Sequence, residues 1–263
     1  MAQPQQRNLE LSHVHGVALS VESRRLAAEV AIPQYLAEAY WWAYLHPRAL
    51  YLFERQWVVN LILWGNFNRL RDAALAALGG NLHGRTLQVS CAYGDLTTRM
   101  AARLARGAQL HVVDVLRIQL ENLARKLPVG MLCRRSHEGH ETPAVELIHG
   151  NSAALTLQSA SYDRALLFFL LHEQPAEVRR VTLVEALRVV KPGGRVVVVD
   201  YHRPHRLHPL YWPMHGVFQA LEPFALDFWS SELAGWIPPG TRIAGLHKRT
   251  FFGGLYQLVS ITV

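Results

Sequence analysis

Arg85-Thr86-Leu87-Gln88-Val89-Ser90-Cys91-Ala92-Tyr93-Gly94-Asp95-Leu96-Thr97 reads as an apolar strand, a short loop and the start of a helix. Thr86–Cys91 is the strand, and Leu96–Arg106 is the helix that follows it, with Gly107 at its end. Gly94 is the loop position where the backbone can take left-handed angles or approach a ligand closely. A helix that begins at Leu96 leaves unpaired N–H groups facing the loop, which favours an anionic group there. A bulky Tyr93 stands immediately before the glycine, and Ser90 and Ala92 lie ahead of it.

The same strand–helix alternation recurs downstream. Leu110–Val115 is a second strand and Ile118–Lys126 its helix, stopped by Pro128. Val129–Ala144, rich in Arg, His, Gly and Pro, reads as a loop insertion before a third strand, Val145–His149. Ala165–Leu171 is a continuous apolar run, as in a strand buried on both faces of a parallel sheet. Glu177–Val190 is an amphipathic helix, Lys191-Pro192-Gly193-Gly194 a turn, and Arg195–Asp200 a β-branched buried strand. Tyr201–Gly240 is a Pro- and Trp-rich cap, and Arg242–Arg249 with Leu255–Val263 form a closing antiparallel pair. Repeated β-α-β units imply right-handed crossovers and an α/β fold with a doubly wound, seven-stranded, mostly parallel sheet.

Upstream, residues 1–18 read as a mobile tail. Residues 19–80 form an N-terminal helical lid, in which Pro33 and Pro47 each open a helix. Asn66 caps a third helix that stops at Gly79-Gly80. Residues 81–263 are then the ligand-binding domain. The 263 residues, half of them hydrophobic, suffice for one large core. The net charge of +7 and pI near 9.7 suit an anionic surface or an acidic ligand. The basic residues are scattered and no nucleic-acid motif is present, so nucleic acid is not an expected partner. Two cysteines, Cys91 and Cys133, make no disulfide framework and point to a cytoplasmic compartment. No apolar stretch is long enough to span a bilayer.

The order of these motifs resembles class I S-adenosylmethionine (SAM) methyltransferases over residues 85–263, nearest to those acting on ubiquinone and menaquinone precursors. Asp114 ends strand two, Asn151-Ser152 follows strand three, Ser161-Tyr162-Asp163 precedes strand four, and Leu187-Arg188-Val189-Val190-Lys191-Pro192-Gly193-Gly194 precedes strand five. A narrower resemblance covers nearly the whole chain. Tyr40-Trp41-Trp42-Ala43-Tyr44-Leu45-His46-Pro47, Phe53-Glu54-Arg55-Gln56-Trp57, Tyr93-Gly94-Asp95-Leu96-Thr97, Phe168-Phe169-Leu170-Leu171-His172-Glu173-Gln174-Pro175 and Asp200-Tyr201-His202-Arg203-Pro204 are similar to the RquA family of rhodoquinone biosynthesis. That resemblance implies conversion of ubiquinone to rhodoquinone, a ring methoxy group being replaced by an amine. It implies SAM as amino donor and Mn2+ as metal. Quinone methyl transfer, and a non-catalytic quinone- or partner-binding module, are the alternatives.

Within this resemblance Gln88 stands where methyltransferases carry an acid, and Ser90 and Ala92 stand in place of two glycines. With Gly94 they shape the expected SAM loop. Asp95 either binds the cofactor or caps the helix. Asp114 is expected to accept hydrogen bonds from the ribose, and Asn151 and Ser152 to face the adenine edge. Tyr93 either orients the reacting amine or packs against the lid, and a neutral Gln88 leaves the amine less inclined to hold a proton. Asp163 is expected to hold a turn. His172 and Glu173 follow strand four, and Asp200, His202 and His205 follow strand five, so both sets open onto one crevice. His172 and His202 are acid/base candidates, and Glu173, Asp200 and His205 are metal candidates. The aromatic cluster Tyr40, Trp41, Trp42, Tyr44, Phe53, Trp57, Trp64 and Phe67, with Arg48, Arg55, Arg69 and Arg71, reads as a lid, as a quinone entrance against the inner membrane, or as both. Peripheral membrane association follows from the second reading. The oligomeric state is left open.

Overall fold

The computed structural model describes residues 30–40, 55–132 and 144–263. Seven strands form one sheet: β1 (Arg85–Val89), β2 (Gln109–Asp114), β3 (Val145–His149), β4 (Tyr162–Phe168), β5 (Val190–Tyr201), β6 (Gly245–Phe251) and β7 (Tyr256–Thr262), ordered β3-β2-β1-β4-β5-β7-β6. The first five strands pair parallel, and β7 runs antiparallel between β5 and β6. From β1 the chain winds one way to β2 and β3 and then returns to β4 on the other side. The switch point lies at the carboxyl ends of β1 and β4, where doubly wound sheets bind ligands.

The central strands are buried on both faces, which explains their unbroken apolar runs. Along β5, Val197 and Val199 join a core with Leu70, Leu75 and Met100, while Val196 and Val198 join one with Leu167 and Leu183. All four valines are fully buried, each contributing roughly 1.5–3 kcal/mol. The helices are α1 (Gln34–Ala39), α2 (Gln56–Ile62), α3 (Phe67–Leu78), α4 (Leu96–Ala101), α5 (Arg117–Lys126), α6 (Val129–Leu132), α7 (Ala176–Val189), α8 (Tyr211–Leu221) and α9 (Ala225–Ser230). No helix among the described residues is long and apolar enough to cross a membrane.

Several boundaries differ from the sequence reading. β4 stops at Phe168, because Phe169 takes φ 53° and Leu171–Glu173 form one 3-10 turn. α4 ends at Ala101 because the chain beyond it turns back to bridge Leu82 with Leu104. Asn66 does not cap α3 with its side chain. Its amide instead donates to the Leu63 and Trp64 carbonyls, and Asn60 Oδ1 accepts the Phe67 N–H at 3.2 Å. Lys191–Gly194 lies within β5, opposite a register shift in β4 between Tyr162 and Arg164. A Cβ on Gly194 would sit 2.6 Å from Val190 Cγ1, so glycine is required at that bulge. Asp163 pins the same corner by accepting the Arg85 N–H at 2.7 Å and pairing with Lys191 at 2.8 Å. Val129–Leu132 is helical where a loop was expected, and most of the expected insertion falls outside the described residues, as do the 1–18 tail and Pro47.

The aromatic cluster divides. Tyr40 and Phe67 are buried, while Trp57 and Trp64 are exposed. Arg71 is buried and paired with Asp95 at 2.7 Å, which removes it from the expected contact with headgroups. The exposed Arg69 lays its guanidinium over the Phe251 ring. Trp41, Trp42, Tyr44, Arg48 and Phe53 lie outside the described residues.

Candidate active site

β1 ends in a loop gripped by the last residue of β2. Asp114 accepts the Cys91 N–H at 2.7 Å, the Ser90 hydroxyl at 3.2 Å and the Leu116 N–H at 2.8 Å. Ser90 sits at φ 71°, a left-handed conformation that costs a side-chain residue roughly 1–2 kcal/mol. Hydrogen bonds to a charged acceptor, each worth about 1.5–3 kcal/mol, offset that strain. Burial pushes the Asp114 carboxyl above the usual range, and the loop N–H groups and the Ser90 hydroxyl work against that rise. The Cys91 side chain adds a further hydrogen bond to the same carboxylate. Gly94 takes φ 77°, and a Cβ there would lie 2.8 Å from Phe67 Cζ.

Gln88 is fully buried beneath the loop. Its amide donates to the Ser90 carbonyl at 3.0 Å and accepts from the Thr97 hydroxyl at 2.9 Å, so it ties β1 to the first turn of α4. Asp95 neither caps α4 with its side chain nor lines the cavity. It pairs with Arg71 and Arg99, whose hydrogen bonds hold its carboxyl below the usual range against the opposing effect of burial. Tyr93 Oη accepts the Gln119 amide N–H at 3.0 Å, fixing the ring.

Above the loop lies a cavity of about 520 Å³ with two unlike ends. Ser90, Ala92, Tyr93, Asp114, Asn151 and Ser152 line one end. Leu36, Phe168, Phe169, Met214 and Phe218 help line the other, and His172 and Glu173 also face the cavity. Asn151 Oδ1 accepts the Ala153 N–H, and the Ser152 hydroxyl bonds Thr182 and the Gln174 amide. Gln174 Oε1 is buried in the same wall with no hydrogen-bond partner among the described residues. A bound ligand's donor would satisfy it, since buried polar atoms are ordinarily paired.

His172 stands on a fully buried carboxylate. Asp200, near the end of β5, accepts the His172 Nδ1 proton at 2.7 Å and the Leu171, His172 and Tyr201 backbone N–H groups at 2.9, 3.3 and 2.7 Å. Burial disfavours charge on the imidazole. The charge and hydrogen bond of Asp200, with Glu173 and Glu222 behind them, win and push His172 up to about 9. Its Nε2 lies 3.9 Å from Glu173. Glu222, at the end of α8, accepts the Tyr40 hydroxyl proton at 2.7 Å, and burial raises its carboxyl against the opposing charge of His172. The sequence reading passed over Gln174 and Glu222. Gln174 stood two residues from His172, but Glu222 carried no local signal.

His202 and His205 are not brought to this cavity. β5 ends at Tyr201, and the His202 N–H turns back to the Leu255 carbonyl. The His202 ring then bonds the Gly254 carbonyl and Lys248. His205 sits on an exposed loop, where Nδ1 accepts the Leu207 N–H. The expected manganese site is corrected accordingly. The acceptor capacity of Asp200 is spent on four donors, His205 is elsewhere, and no group of three His, Cys, Asp or Glu that could hold a metal ion occurs among the described residues. The donor set does not fit the metal.

The polar end of the cavity, by contrast, fits a nucleoside carrying an amino acid. It offers the Ser90–Tyr93 loop, a buried carboxylate at the end of β2 and a Gln174 oxygen without a partner among the described residues.

Comparisons with known proteins agree with this geometry. The chain is 26% identical over 198 residues to a demethylmenaquinone methyltransferase of Bacillus licheniformis, covering 72% of this chain and 79% of that protein. It is 30% identical over 148 residues to the ubiquinone/menaquinone biosynthesis C-methyltransferase UbiE of Rhodopseudomonas palustris, covering 55% and 54%. The chain thus spans about half the length of some relatives it matches. In fold it resembles phosphoethanolamine N-methyltransferase 2 of Haemonchus contortus, solved with SAM, at a TM-score of 0.58, 13% identity and coverage of 89% of this chain and 60% of that one. With the model of the ubiE/COQ5 methyltransferase family matching residues 58–225, the chain belongs to that family of class I SAM-dependent methyltransferase fold.

Proposed function

We propose that this chain is a SAM-dependent transferase that modifies the ring of an isoprenoid quinone. The observation that carries the reading is the cavity with two unlike ends, a polar end continuous with an apolar end, and a buried histidine paired with a carboxylate in its wall. Ser90, Asp114, Asn151, Ser152 and Gln174 would hold the cofactor. When bound, SAM supplies an electrophilic methyl group on sulfonium and, on the same side chain, an α-amine. Phe168, Phe169, Met214 and Phe218 give the ring an apolar seat from which water is displaced. The printed activities of the relatives support methyl transfer to a ring carbon. For that reaction Glu222 is the acceptor for a ring-hydroxyl proton, because burial has raised its affinity for protons.

A second reading, exchange of a ring methoxy group for an amine, is favoured by two observations. His172 holds its proton at neutral pH, so at Nε2 it is a donor that polarises a quinone oxygen rather than a base. The residue under the loop is the neutral, hydrogen-bonded Gln88, which leaves no carboxylate there to favour an ammonium group. Polarisation of the ring is thereby assigned to an imidazolium. Mass spectrometry of quinones from cells expressing the chain tests the proposal. An added ring methyl supports methyl transfer, a methoxy-to-amine change supports the second reading, and an unchanged quinone pool refutes both.

A further inference from the structure

The rim of the cavity is apolar and faces solvent. α2 exposes 61% of Trp57, 68% of Leu61 and 44% of Ile62, and Trp64 follows it at 44%. Across the opening, α8 exposes 68% of Trp212, 42% of Val217 and 48% of Leu221. Leu61, Ile62, Trp64, Val217 and Leu221 also line the cavity, so its wall continues onto the outer surface. The Trp64 indole N–H, 3.2 Å from Met214 Sδ, joins the two helices. Neither α2 nor α8 contains an Asp, Glu, Lys or Arg. A helix packed on a soluble domain ordinarily turns a charged face outward, and α8, with Tyr211, Met214 and Phe218 buried beneath it, does not. The acid just past its end, Glu222, is bonded to Tyr40. Exposed basic residues precede both helices: Arg55 before α2, and Arg203 and Arg206 before α8.

We propose that this two-helix face docks on an anionic lipid bilayer, with the cavity mouth turned toward the acyl chains. Uncharged apolar surface rimmed by arginines matches a membrane surface, in which acyl chains lie below negatively charged headgroups. Trp57 and Trp212, outside the cavity wall, are the interfacial anchors. The inference rests on the quinone reading for its purpose, delivery of a bilayer-resident substrate, but vesicle binding is measured without turnover.

The test is co-sedimentation with vesicles of phosphatidylcholine alone or mixed with phosphatidylglycerol. Wild-type protein should pellet with the mixed vesicles and be partly released by salt, because screening weakens the arginine contacts. The Trp57→Glu/Trp212→Glu variant should partition about tenfold or more weakly, given the apolar area two indoles bury, while still binding SAM. The Arg55→Glu/Arg206→Glu variant, which leaves both indoles in place, should lose the preference for anionic vesicles. Wild-type protein left in the supernatant, or a double tryptophan variant that pellets unchanged, overturns the proposal. So does a wild-type dimer that the tryptophan variant converts to monomer without any vesicle binding, since a second copy would then cover the face. Vesicle binding as expected, with no change in any quinone, would keep the docking face and refute the quinone reading.

Discussion

Replacing Asp200 by asparagine tests the charged histidine most severely. The carboxylate now receives four donors, from His172 Nδ1 and three backbone N–H groups. An asparagine has one acceptor oxygen and adds two donors, so at least two of the four lose their partner, and with it about 1–3 kcal/mol each. The pH dependence is sharper still. In the folded protein His172 is pushed up to about 9, from 6.5 for an unperturbed histidine. A raised histidine contributes stability that is fully present below pH 6.5 and lost as pH rises through 9. A shift of that size corresponds to about 3 kcal/mol. In Asp200→Asn that charge is gone, and burial, the largest influence on the ring, is opposed only by the smaller pull of Glu173 and Glu222, which lowers the imidazole. Denaturant unfolding at a series of pH values should therefore show wild type losing about 3 kcal/mol relative to the variant between pH 6.5 and 9. NMR of the His172 ring should show wild type protonated at neutral pH and the variant neutral. Equal pH profiles, or a wild-type ring that titrates near 6.5, would refute the reasoning.

Two further substitutions test the loop. Asp114→Ala removes the acceptor that holds Ser90 and Cys91 and shapes the loop proposed to hold the cofactor, so SAM affinity by calorimetry should fall roughly tenfold or more; an unchanged affinity in a folded variant would remove Asp114 from the site. Gly94→Ala puts a Cβ at 2.8 Å from Phe67, whose ring packs edge-on against Phe168, and forces φ 77° on alanine. It should cost about 2–4 kcal/mol in denaturant unfolding, and an unperturbed midpoint would contradict the close approach.

Much of the fold was legible because the central strands are buried on both faces. Leu166, Leu167 and Val196–Val199 could be apolar without alternation only in central parallel strands. The strand ends were less legible. Leu170 and Leu171 extend the apolar run, yet Phe169 at φ 53° ends the strand and turns His172 onto Asp200. His202 looked equivalent to Asp200, two residues earlier, but the strand stops between them and the ring faces the β6–β7 hairpin. Glu222 was invisible because its partner, Tyr40, lies 182 residues away. Asp95 looked like a cap or a ligand because its partner Arg71 is 24 residues upstream, on a helix whose packing angle no local pattern reveals.

The central claim is that SAM gives part of itself to a quinone ring in this cavity. The direct measurement incubates purified protein with an isoprenoid quinone, in oxidised and reduced forms, and SAM labelled with heavy carbon in the S-methyl group and heavy nitrogen in the α-amine. The account predicts that one label enters the quinone: carbon if the reaction is that of the family's named members, nitrogen if Gln88 and the protonated His172 have redirected it. A protein that binds SAM in this cavity and transfers neither label to any quinone would contradict the account.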